Sequence, residues 1–178
     1  MSRADVPASA DGGATTDPET SACPGCGAVL VVVPGLATDH AGASPSCAGL
    51  FRVTVRGLRE EAAQDVRSAA LLQLATDAYD AQHVPAGAPA TAPVRLCLEL
   101  EGAPDARRAG VPDGRVDGAA PRSLTPPAHW TTTVADLAAD LDVVDLPALV
   151  RAWAEAVWQD WAPAHQELRA AADGALTS

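Results

Sequence analysis

The sequence predicts a mainly α protein, an irregular helical bundle with an N-terminal Cys-rich zinc-knuckle module. Three observations predict it. Apolar residues recur every three or four positions through residues 59–84 and 131–172. Three of the four cysteines fall within residues 22–47. The best strand candidate, AVLVVV at 28–33, is short and leaves room for no more than a small β-hairpin.

Residues 1–21 are small and polar and lack periodicity, and they read as a disordered tail. A single helical domain is expected over 22–173, with residues 22–47 as its turn-rich knuckle. Ser44 and Pro45 have the chemistry of a helix start, a cap followed by a proline at the first helical position. Beyond Cys47 the pattern is ambiguous, because Phe51, Val53 and Val55 alternate as in a strand. Residues 59–84 read as one helix, with Val66, Ala69, Ala70, Leu74 and Ala78 on one face, His83 at its end and Pro85 beyond. Val94, Leu96, Leu98 and Leu100 alternate, yet Leu and Glu favour helix. Residues 103–129, rich in Pro, Gly, Asp and Arg, read as a long exposed loop. A threonine-capped helix is expected over 131–142, and the strongest over 146–172. There Val150, Trp153, Val157, Trp161 and Leu168 form one stripe, and Pro163 must kink or restart the helix.

Composition bounds the function. Among 178 residues all twelve basic side chains are Arg and the net charge is -11, so no basic face for nucleic acid is expected. The longest aliphatic run is too short to span a bilayer. Residues 1–20 hold no apolar signal core, which makes a cytoplasmic location the expectation. Thiols stay reduced there, and a Cys-x-x-Cys pair more often binds metal or does redox chemistry than forms a disulfide.

Cys23-Pro24-Gly25-Cys26-Gly27 carries the clearest chemistry. Two thiolates two residues apart grip one tetrahedral ion from a tight turn, and zinc is the usual occupant of such a site. Redox motifs of the same spacing precede a helix, whereas this pair precedes AVLVVVPG. A closed site needs two more ligands. Cys47 is the third candidate, and the fourth is His40, His83 or Cys97. Cys97, between two leucines, has the setting of a small buried hydrophobe. Tyr79 lies one turn before His83, placed either for a hydrogen bond to a ligand or for core packing. Trp153, Trp158 and Trp161 have the spacing of core residues. His165 reads as structural or exposed, and Asp77 and Asp80 as facing solvent.

CPGCG, then SPSC, then DAYDAQH at 77–83 and RAWAEAVWQDWAPAH at 151–165, in this order and spacing, resemble the bacterial domain-of-unknown-function family DUF5946. The resemblance covers residues 22–170. It implies a Cys3His metal site of Cys23, Cys26, Cys47 and His83, with His40 the alternative fourth ligand, and helix over 45–56. Ala48 replaces an aromatic common after the third cysteine, and QHVP replaces QHP. The resemblance implies no activity.

Three functions follow as expectations. The first is an uncharacterised cytosolic protein with a structural Zn(2+) site, acting as a protein-interaction or regulatory module with a protein partner. The second is a metal-dependent hydrolase, loosely like the DinB-type bundles, using His40, His83, His129 and His165. The third is thiol redox chemistry through Cys23 and Cys26.

Overall fold

The computed structural model describes residues 18–38, 40–102, 113–142 and 145–177. Most of them are helical. Strands β1 (Thr20–Ala22) and β2 (Val29–Val31) pair antiparallel, Ser21 opposite Leu30, in a small hairpin whose turn is the CPGCG segment. The hairpin thus takes in residues 20 and 21, which the sequence assigned to the tail. Residues 1–17 of that tail lie outside the described residues.

Helix α1 (Pro45–Thr54) begins as expected. The Ser44 side chain accepts from the Cys47 N–H and Pro45 sits in the first turn. The strand-like alternation resolves as helix: Phe51 and Val55, four apart, are buried, while Val53 points to solvent.

The single helix expected over 59–84 is two helices, α2 (Arg56–Glu61) and α3 (Val66–Gln82). The break is made by Asp65. Its backbone is extended, and its carboxylate accepts from the Ser68 N–H at 2.8 Å and from the Ser68 hydroxyl. This side chain captures donors that a continuous helix would have spent on carbonyls.

The ambiguous segment at 94–102 belongs to helix α4 (Thr91–Glu101), with Pro93 in its first turn. The first part of the expected long loop, 103–112, lies outside the described residues. Its middle is a short helix, α5 (Asp113–Ala119), anchored by buried Val116. Helix α6 (Val134–Ala139) is shorter than expected and capped by Thr133, which forms a capping box with Asp136. Helix α7 (Leu146–Asp160) ends at Trp161. A 3-10 turn over Ala162–Ala164 holds Pro163, and α8 (His165–Thr177) restarts beyond it.

Helix α3 is the axis, packed mainly against α7 and α4, while α8 closes over α4 and α5. The stripe predicted over 146–172 is buried throughout, with Val150, Trp153 and Val157 on α7, Trp161 at its end and Leu168 on α8. No helix among the described residues is long and apolar enough to cross a membrane.

Candidate metal centre

Three segments converge at the C-terminal end of α3. The hairpin turn brings Cys23 and Cys26, the first turn of α1 brings Cys47, and the residue after α3 is His83. The turn is tight: the Cys23 N–H donates to the Ala28 carbonyl and the Gly27 N–H to the Cys23 carbonyl, both at 2.9 Å. Gly27 has φ +76°, a conformation glycine adopts without penalty.

The four ligand atoms all lie within 4.8 Å of one another. Cys26 Sγ is 3.7 Å from Cys47 Sγ, and His83 Nε2 is 3.4 Å from Cys23 Sγ and 3.5 Å from Cys47 Sγ. All four residues are buried, Cys47 and His83 completely. Such a group is compatible with a metal site. It is the cluster of metal-ligating type found among the described residues.

The surrounding groups orient the cluster. His83 Nδ1 donates to the Tyr79 carbonyl at 2.6 Å, which leaves the Nε2 lone pair facing sulfur. The Ser44 N–H points at Cys23 Sγ at 3.4 Å, and the Tyr79 hydroxyl at Cys47 Sγ at 3.8 Å. Tyr79 also stacks on Phe51, centroids 4.2 Å apart, so it fills both roles weighed for it. Burial pushes its phenol up from the ordinary range.

The thiols share their charge unequally. Hydrogen bonds from Cys26 and Cys47 hold Cys23 far below the usual thiol range. Sitting beside that sulfur pushes Cys26 up to about 11 and Cys47 well above its ordinary value. Without a cation this pocket stabilises one thiolate; a bound metal would draw the protons from the other two.

Two glycines permit the close packing. A Cβ on Gly25 would lie 2.5 Å from His83 Cδ2 and 2.6 Å from the Gly42 carbonyl oxygen, and one on Gly42 would overlap the His83 carbonyl. Trp130 locks the turn from the far side, its indole N–H donating to the Gly25 carbonyl at 2.9 Å. Gln82, wholly buried beside His83, donates to the Thr132 carbonyl at 2.7 Å and accepts from the Trp153 indole at 3.2 Å. Sequence reasoning missed Trp130, whose contact spans 105 residues and leaves no local signal.

The other candidates lie elsewhere. His40 is outside the group: its Nε2 donates to Asp80 at 3.2 Å and its Nδ1 accepts from the Gly42 N–H. Cys97 is buried in α4, and desolvation pushes its thiol up to about 11. His129 is exposed. His165 stacks on Trp158 at 3.9 Å, and its Nε2 donates to the Trp158 carbonyl. His40 and His83 are in edge-on contact, centroids 5.5 Å apart, but His165 sits against Trp158 and His129 is exposed, so the four histidines of the hydrolase reading do not form one group. Asp77 corrects the expectation of a solvent-facing carboxylate: it is 1% exposed, because α4 packs over it and supplies Arg95 at 3.7 Å.

Comparison with curated proteins and with solved structures gives no match. A family model does match, over residues 21–162, a span that includes all four residues of the cluster and most of the bundle. The chain belongs to the family of unknown function DUF5946.

Proposed function

We propose that Cys23, Cys26, Cys47 and His83 bind one Zn(2+) as a closed structural site, and that the protein works as a zinc-stapled cytoplasmic module recognising a protein partner. The observation that carries the metal is the edge lengths of the cluster. Zinc–sulfur bonds of about 2.3 Å and zinc–nitrogen bonds of about 2.0–2.1 Å, set tetrahedrally, separate two sulfurs by about 3.8 Å and sulfur from nitrogen by about 3.6 Å. The separations of 3.7, 3.4 and 3.5 Å agree with that figure.

A Cys3His set fills all four positions, which favours a structural role over a catalytic one with an open position. Burial of Cys23 and Cys26 to 2% and 4% exposure weighs against the redox reading, since a reactive cysteine needs access. Val29, Val31 and Val33, exposed on the hairpin that the metal would hold in place, support a role in contact with other proteins.

The test is elemental mass spectrometry on the protein and on Cys47→Ser, His83→Ala and His40→Ala, purified without added metal. The expected result is one zinc per chain, lost with Cys47 or His83 and kept without His40. Thermal unfolding unchanged by a strong chelator, or no zinc in the unaltered protein, would overturn the reading.

A further inference from the structure

A second feature lies on the other side of Tyr79. A cavity of about 240 Å³ opens between α1, α2 and the end of α3, floored by Phe51 and Tyr79 and walled by Arg52, Arg59, His40 and Asp80. We propose that it is a binding site for a small organic monocarboxylate with an apolar body.

The two arginines are placed together by the backbone. They are seven residues apart, and α2 follows α1 after the single residue Val55, so two helical turns bring both to one side. Arg56, Arg95 and Arg169 each face a carboxylate within 4.0 Å. Arg52 and Arg59, like Arg67, Arg115, Arg122 and Arg151, have no ion-pair partner among the described residues, and these two line the same cavity. Two guanidinium groups on one cavity offer the fork geometry that suits a carboxylate.

The wall charges set the ligand's charge. Arg52 and Arg59 contribute two positive charges and Asp80 one negative, a balance that fits a monoanion. The floor sets its body. Phe51 and Tyr79, stacked on each other with ring planes 10° apart, both line the cavity and give it an apolar side. The volume lies just below the ~300 Å³ at which drug-sized pockets begin, so the occupant is small. His40 gives no general base here, because its Nδ1 accepts from Gly42 and its Nε2 bonds to Asp80. The cavity binds; it does not catalyse.

The proposal stands apart from the metal reading, and its test is separate. Benzoate and its neutral isostere benzamide are titrated into the full chain at constant ionic strength. The chain has one Phe and one Tyr, so their ring-proton shifts report the floor without ambiguity. Expected are saturable benzoate shifts of both rings, benzamide at least tenfold weaker, and affinity lowered at least fivefold in Arg52→Gln and in Arg59→Gln. Arg151→Gln, at an exposed arginine on α7, leaves binding unchanged. No saturable shift, equal binding of benzamide, or an equal loss in Arg151→Gln would overturn the proposal. Zinc content, measured on the same samples, separates this outcome from any failure of the metal site.

Discussion

His83 donates from Nδ1 to the Tyr79 carbonyl one helical turn back, at 2.6 Å, and the same ring presents Nε2 to two sulfurs at 3.4 and 3.5 Å. One backbone hydrogen bond therefore sets both the tautomer and the aim of the imidazole. It also explains why the histidine sits just past the last turn of α3. There the helix has unused carbonyls, and a ring can accept their direction without a second carboxylate partner.

The two residues are expected to differ sharply under substitution. His83→Ala removes a ligand and is expected to abolish stable metal binding. Tyr79→Phe keeps the carbonyl and the ring stack on Phe51 but removes the hydroxyl aimed at Cys47. Its expected cost is about tenfold in metal affinity, the lower end for groups that orient ligands. Competition titration against a chromophoric chelator measures both. A loss in Tyr79→Phe as complete as in His83→Ala would show that the phenol does more than orient sulfur.

Gly25→Ala tests the packing of the knuckle on α3. The added methyl would lie 2.5 Å from the His83 ring and 2.9 Å from the Gln82 carbonyl oxygen, and neither can move without disturbing the cluster. A destabilisation of about 1–3 kcal/mol is expected from overpacking, together with weakened metal retention. Gly57→Ala is the control, because a Cβ there meets nothing within 4 Å. Urea denaturation of the two variants side by side gives the comparison.

Much of this was legible in the residues. The spacing of Cys23 and Cys26 marked the knuckle, Ser44-Pro45 marked the start of α1, and the α7 stripe marked the core. Other features were hidden for physical reasons. Residues 60–64, EEAAQ, are good helix formers, so propensity favours continuity between α2 and α3; the cap that Asp65 makes with Ser68 overrides it. Helix α5 contains two glycines and two aspartates, and it is held by the burial of Val116 against the bundle and by the Thr91 hydroxyl, which donates to Asp117 at 3.2 Å. Asp77 looked exposed because a charge on a helix usually is, and its partner Arg95 lies on an element whose type the pattern left open. For α5 and Asp77 the deciding contact is tertiary and a local window does not contain it; at Asp65 the deciding contact is local, and helix propensity masks it.

Gln82 is the buried link between the metal module and the C-terminal helices. Its amide serves the Thr132 carbonyl and the Trp153 indole at once. Gln82→Leu keeps the bulk of the side chain but leaves a donor and an acceptor without partners. Each such group costs about 1–3 kcal/mol when buried, so a loss of about 2–6 kcal/mol is expected in chemical denaturation. A loss under 0.5 kcal/mol would mean that water reaches both groups, and the described packing around Gln82 would be wrong.

Asp77 gives the protein a pH dependence of unusual sign for a carboxylate. Burial pushes its acid up to about 7, against the opposing pull of Arg95 and the Gln73 amide, with Asp80 and Glu99 adding to the rise. In the unfolded chain an aspartate titrates near 3.9. Below that value the group is protonated in both states and costs nothing. Between about 4 and 7 the unfolded chain releases the proton while the folded one keeps it, so stability falls as pH rises. Above 7 both are ionised and the full penalty remains. Asp77→Asn mimics the protonated acid and is expected to equal the parent near pH 4 and to exceed it increasingly up to pH 7, with a constant gap beyond. Because acid also strips metal from thiolates, the difference between the two proteins, both measured in excess zinc, is the quantity to follow. A gap that is flat with pH, or one that favours aspartate at pH 8, would show that the Arg95 ion pair outweighs the burial of the carboxylate.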